Sequence, residues 1–179
     1  MTIHRSRGHA TYPARIQLVM AANPCPCARP AGDTACECSA LHRRRYLARL
    51  SGPLLDRIDL RVTLPPLTSA QLAPDGAAES SGAVLARVLA ARQAAAERWA
   101  RLGRRANAEV SGAHLRDRAW RLPPAVTRQL VTHLDRGTLS ARGLDRVVRV
   151  AWSVADLDGR DRPGADDVAE AMYLRGGLR

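Results

Sequence analysis

The sequence predicts a two-part molecule: an α/β portion built on parallel-sheet strands with a Cys-rich insertion, followed by an all-α helical domain. Three observations carry this expectation. Residues 16–22, IQLVMAA, form a nearly continuous apolar run of strand length, the pattern of a central strand covered on both faces. The four cysteines of the chain all fall between positions 25 and 38, as two Cys-x-Cys pairs. From residue 83 onward, apolar residues recur at helical spacing between capping and stop residues.

The 179 residues are enough to bury a core, as one domain or two small ones. The N-terminus lacks the apolar run of a secretory signal, and no stretch reaches the roughly eighteen apolar residues of a membrane span, so the reading is a soluble, cytoplasmic chain. Basic residues number 28 against 17 acidic ones, a net charge of +11, and every basic residue is Arg. A GC-rich coding bias toward Ala and Arg accounts for such an excess. So does attraction to a polyanion, because a positive field gathers phosphate and the Arg fork binds it bidentately. The two explanations are compatible. The missing Lys excludes one activity for these residues alone: the phosphate-binding loop G-x-x-x-x-G-K-[ST] needs an ammonium to reach the outer phosphates, and neither loop nor Lys is present.

Each element follows from local chemistry. Residues 2–12 have β-branched residues at each end and a basic middle with Gly8, as in a short hairpin or loop with a cationic tip, and Pro13 ends it. The run 16–22 stops at Asn23-Pro24, since Pro has no amide for a ladder and restricts the residue before it. A polar residue at the carboxyl end of a buried parallel strand stands where open α/β sheets contact ligands, although an Asn before a Pro is also an ordinary turn former. Residues 42–50 read as a helix with Tyr46, Leu47 and Leu50 on the buried side and Arg around the rest. Ser51-Gly52-Pro53 breaks it, Leu54-Leu55-Asp56-Arg57 makes a helical turn, and residues 58–64 alternate as a second strand. Residues 67–82, rich in Pro, Ser, Gly and Ala, make a linker with one helical turn near 69–72.

Four or five helices are expected beyond the linker. Ser81 caps a helix over 83–102 with Val84, Leu85, Val88, Leu89 and Trp99 as apolar positions, and Gly103 stops it. A short helix falls within 111–120. Pro123-Pro124 opens another that runs to about Arg136 and closes at Gly137. Ser140 caps 141–157, where Leu144, Val147, Val148, Ala151, Val154 and Ala155 form an i, i+3, i+4 stripe. The last helix covers 165–174, with Asp166 and Asp167 complementing its N-terminal dipole. The expected division is therefore 1–66, a linker 67–82, and 83–179.

Cys25, Cys27, Cys36 and Cys38 are separated by a turn-rich spacer containing Pro30, Gly32 and Asp33, which can fold the two pairs together. Four thiolates so spaced suit a tetrahedral, structural Zn²⁺ with a closed shell and no position left for catalysis. Disulfides are the alternative, disfavoured by the reducing compartment expected for this chain.

These residues together resemble the magnesium-chelatase-like AAA+ ATPases of bacteria, a group that includes a competence-associated hexameric helicase driving branch migration. The resemblance is carried by Tyr12-Pro13-Ala14-Arg15, by ANPCPC over 22–27, by the second Cys-x-Cys, and above all by RLSGPLLDRIDL over 49–60. Leu139-Ser140-Ala141-Arg142-Gly143 and the segment 150–157 followed by Gly159 extend it over essentially the whole chain. It implies that 1–66 is the C-terminal part of an AAA+ core and 83–179 its α-helical lid. It also implies that the phosphate-binding loop and the acidic Mg²⁺ motif precede the point where this sequence starts, through truncation, a misplaced start or a split gene. Asn23 then matches the sensor-1 position that orients the attacking water. Arg57 matches the arginine finger supplied in trans to a neighbour's nucleotide, and Arg142 the sensor-2 arginine of the lid. The cysteine pairs match the family's zinc insertion, with Ala28 where a glycine is usual. ATP and Mg²⁺ are implied only for the full-length protein, with single-stranded or branched DNA as partner and a hexamer of identical subunits as assembly. The chain alone is expected to be inactive as an ATP hydrolase. Two other readings compete: a non-enzymatic zinc-containing module that binds nucleic acid, and a magnesium chelatase subunit, against which the cysteine pairs speak.

Overall fold

The computed structural model describes residues 2–6, 8–13, 16–27, 36–69 and 79–176, and the chain divides into two compact units, Met1–Arg49 and Leu50–Arg179. In the first unit, β1 (Thr2–Arg5) and β2 (Gly8–Thr11) form the expected hairpin, antiparallel, with Thr2 opposite Thr11 and His4 opposite His9. The Thr2 and Thr11 hydroxyls close its open end at 3.0 Å. This is the only ladder among the described residues.

Residues 16–22, expected as a buried strand, have no ladder partner and face solvent, with Ile16 80% and Val19 83% exposed. The composition suits a strand, but a strand exists only through hydrogen bonds to a neighbour, and no described residue supplies one. Residues 58–64 differ from expectation for the same reason: they run extended, unpaired in any sheet, with Leu64 83% exposed. Among the described residues, the β part of the α/β portion expected is one two-stranded hairpin. The helix α1 (Ala40–Leu47) does form, capped by the Ser39 hydroxyl accepting from the His42 amide at 3.2 Å. It buries no residue fully: of the apolar side expected at Tyr46, Leu47 and Leu50, Tyr46 is half-buried, Leu47 46% exposed, and Leu50 half-buried beyond the helix end.

The second unit begins with α2 (Gly52–Leu55), capped by Ser51, with Pro53 in the first turn where no amide is needed. The expected linker falls mostly on residues outside those described, including its helical turn beyond Ser69. Five helices follow: α3 (Ser81–Trp99), α4 (Gly112–Arg116), α5 (Pro124–Asp135), α6 (Ala141–Leu157) and α7 (Ala165–Leu174). Ser80, one residue before the serine expected, caps α3 by accepting from the Ala83 amide at 3.2 Å. Gly103 at φ 62° stops the following 3₁₀ turn, and Gly137 at φ 69° stops α5; both are backbone conformations that favour glycine.

The centre of this unit is α6, which packs against α3, α4, α5 and α7. Its stripe places Val147, Val148, Ala151 and Trp152 in one core with Trp99, Leu130, Val168 and Ala171, and Ala155 is buried as well. A fully buried side chain such as Leu130 contributes roughly 1.5–3 kcal/mol relative to exposure. Trp99, Trp120 and Trp152 meet pairwise with ring centroids 4.6, 5.7 and 6.4 Å apart, which ties the end of α3 to the middle of α6. The first half of α3 projects beyond this core: Leu85 and Leu89 remain more than half exposed.

Candidate functional site

Two groups of side chains carry chemistry, one in each unit. In the first, the Sγ atoms of Cys25, Cys27, Cys36 and Cys38 all lie within 4.8 Å of one another, and none of the four forms a disulfide. Thiolates about 2.3 Å from one tetrahedral ion stand roughly 3.8 Å apart. Cys27 and Cys36 are at 3.8 Å, and Cys25 and Cys27 at 2.9 Å, well beyond a sulfur–sulfur bond. Cys25 is buried and the other three half-buried. Burial pushes the Cys38 thiol up, and the Cys27 side chain adds to the shift. The set could hold a metal ion such as zinc. Asn23, two residues before Cys25, is exposed and makes no hydrogen bond to any described residue.

In the second unit, the first turns of α6 face an open depression of about 590 Å³ lined by Arg116, Arg142, Arg146, Arg149 and Asp145, among others. Ser140 starts α6 with its hydroxyl accepting from the Gly143 amide at 3.0 Å, which sets the turn that carries Arg142. Four guanidinium groups line it beside Asp145, and Asp59 pairs with one of them, Arg146. Arg116 pairs with Asp145. Arg149 donates to the Val110 carbonyl at 2.7 Å. Burial lowers the Arg149 guanidinium from its ordinary value, opposed by Asp145 and reinforced by the positive charges of Arg146 and Arg116. Arg142 has no partner among the described residues. The guanidinium of Arg142 is thus the one in this group with no described partner, and it could pair with an anion such as phosphate.

Arg57 lies just after α2, exposed, with Nη1 donating to the Pro53 carbonyl at 2.7 Å. Its own carbonyl accepts from Arg146, one helical turn beyond Arg142, and Arg146 also pairs with Asp59 at 2.7 Å. Arg57 and Arg142 both lie in the second unit, where Arg146, one turn along α6 from Arg142, bonds the Arg57 backbone, while Asn23 and the cysteines belong to the other unit. Arg146 and Arg175 were not singled out by the sequence. A charged residue in an arginine-rich chain gives no signal of which carbonyl it will reach.

The family model described as magnesium chelatase, subunit ChlI C-terminal, matches residues 78–175, more than half of the chain, and the model for magnesium chelatase, subunit ChlI, matches residues 1–72. The chain belongs to the magnesium chelatase ChlI family. The first of these matches holds Arg142, Arg146 and Arg175, and the second holds Asn23, the cysteines and Arg57. Among individual relatives, an uncharacterized protein of Mycobacterium tuberculosis is 56% identical over 172 residues, covering 96% of this chain and 33% of the relative. The protein YifB of Escherichia coli is 36% identical over 177 residues, covering 97% and 33%. The competence protein ComM of Haemophilus influenzae is 34% identical over 178 residues, covering 99% and 34%. This magnesium chelatase family chain therefore spans about a third of the length of the curated relatives it matches. No helix among its described residues is long and apolar enough to cross a membrane.

Proposed function

We propose that this chain supplies the lid and part of the core of a ring-forming AAA+ ATPase that does ATP-driven work on single-stranded or branched DNA. The observation that carries the reading is the guanidinium cluster at the start of α6, with unpaired Arg142 one turn from the side chain that holds the Arg57 backbone. In this reading Arg57 reaches the nucleotide of a neighbouring subunit and stabilises charge on the transferring phosphoryl group. Arg142 contacts phosphate and couples the lid to nucleotide state. Asn23 orients the attacking water, since a neutral amide can donate to phosphate oxygen and accept from water. Cys25, Cys27, Cys36 and Cys38 hold a structural zinc whose filled shell leaves no catalytic position. Mg²⁺ and the outer phosphates of ATP fall to a phosphate-binding loop that these 179 residues do not contain. A DNA partner fits both the net charge of +11 and the competence protein among the relatives.

The test is ATP turnover in an assembly where another chain brings the phosphate-binding loop. Arg57→Ala is expected to lower turnover about 10³-fold, with nucleotide binding by the loop-bearing chain unchanged. Turnover within twofold of the parent rejects the finger role. The chain by itself is expected to give none. Should no loop-bearing partner raise turnover, the missing loop favours the second reading, a zinc-containing module that binds nucleic acid without hydrolysis.

A further inference from the structure

The peptide groups around Arg57 are captured from outside their own segment. Arg175, at the end of α7, donates Nη1 to the Ile58 carbonyl at 3.1 Å and Nη2 to the Asp56 carbonyl at 3.2 Å and to Asp56 Oδ1 at 2.6 Å. Arg146, from α6, donates to the Arg57 carbonyl and to Asp59 Oδ1. The Arg61 amide adds a bond to the Leu174 carbonyl at 2.6 Å. Three consecutive carbonyls, those of Asp56, Arg57 and Ile58, and the two carboxylates within two residues of Arg57 are held by two arginines of the helical bundle.

We infer that Arg146 and Arg175 are positioning residues for Arg57: they fix its backbone and occupy Asp56 and Asp59, so that its guanidinium keeps no carboxylate partner. The inference rests on the phosphate-directed reading of Arg57 given above. An exposed guanidinium beside an unoccupied carboxylate folds onto it in a bidentate pair and loses its attraction for phosphate. Here Asp56 and Asp59 are both taken, and among the described residues Arg57 bonds only the uncharged Pro53 carbonyl. Arg175 suits the task because it is 8% exposed and its planar fork reaches three acceptors at once, which a single ammonium on a flexible stem does not.

Two measurements on the 179-residue chain separate the halves of the inference. Amide hydrogen exchange at residues 57–61 reads the backbone, and the rate of phenylglyoxal modification of Arg57, followed by peptide mass spectrometry, reads its guanidinium. Arg175→Ala is expected to speed exchange about tenfold and to slow modification about threefold, as released Asp56 pairs with Arg57. Adding Asp56→Asn is expected to restore the modification rate and leave exchange fast. Arg175→Lys keeps a cation for Asp56 and guards against an alanine variant that fails to fold: it is expected to lose protection and keep the parental modification rate. Parental exchange and parental modification in both Arg175 variants overturn the inference. The two readings fail separately, because an Arg57→Ala variant with undiminished assembly turnover removes the phosphate role and leaves the clamp, whereas unchanged exchange removes the clamp alone.

Discussion

Arg98 and Asp156 show how a single buried charge commits its neighbours. Their side chains are 9% and 1% exposed, and Arg98 also lies over the Trp152 ring, 4.3 Å from its centroid. Asn107 completes the group: its carbonyl accepts from Trp99 Nε1 at 2.7 Å, and its amide donates to Asp156 at 2.9 Å and Ser153 at 3.0 Å. Removing one partner strands the other in a dry interior, which outweighs what the pair contributes when intact. Asp156→Ala is expected to destabilise the helical unit by about 3–5 kcal/mol, read as a lower urea midpoint, and Arg98→Met with Asp156→Leu by clearly less. A double variant as unstable as the single one contradicts this account. Asp167 sets a pH dependence. Burial opposes its charge, but the Arg160 guanidinium and the Gly164 amide outweigh burial and hold the carboxyl below its ordinary value. A lowered acid contributes stability that is complete above its unfolded value, about pH 4, and lost as pH falls through the folded one. The wild type is therefore expected to lose more stability than Asp167→Asn below about pH 4, measured as the difference in their thermal midpoints. Parallel midpoints there remove the argument.

Helices were legible in the sequence because their signals are local. Ser140 ahead of an apolar stripe located α6 at Ala141–Leu157, and the acidic pair in the first turn located α7 at Ala165–Leu174, both with the bounds observed. The 3₁₀ turn Asn107–Glu109 was missed, since nothing in its composition shows that Asn107 will be buried against Trp99 and Asp156. Strands depend on distant partners, and so the apolar run 16–22 and the alternating run 58–64 predicted ladders that no described residue completes. The start of the second run is instead held by Arg146 and Arg175 and by one amide bond from Arg61 to the Leu174 carbonyl, a kind of support that periodicity cannot announce. The four cysteines were legible because all of them fall as two Cys-x-Cys pairs within fourteen residues, and their sulfur atoms do lie within 4.8 Å of one another. Caps can be weighed directly. Ser140→Ala leaves the Gly143 amide without its acceptor and is expected to cost about 1 kcal/mol in the unfolding of the helical unit. A cost under about 0.2 kcal/mol shows that the turn carrying Arg142 is held by packing alone.

The two units reach order by different means. Every member of the hydrophobic core cluster, from Ala95 to Met172, belongs to the second unit. In the first, Cys25 is the only buried residue among those described, and the hairpin strands are exposed throughout. The described residues of this unit bury too little apolar surface to offset their chain entropy, and four thiols that could bind one metal ion offer a further source of order. The purified chain is accordingly expected to carry close to one zinc, and a Cys25→Ser/Cys36→Ser variant to carry almost none. Removal of the metal with a strong chelator is expected to speed tryptic cleavage at Arg43, Arg44, Arg45 and Arg49 about tenfold or more. The helical unit, whose core owes nothing to the cysteines, is expected to keep its thermal midpoint within about 1 °C. Equal cleavage rates with and without the chelator show that the cysteine cluster does not hold the first unit together. A fall in the helical midpoint of more than a few degrees shows that the two units are not energetically independent, because only a coupling between them carries the loss of a metal in one into the stability of the other.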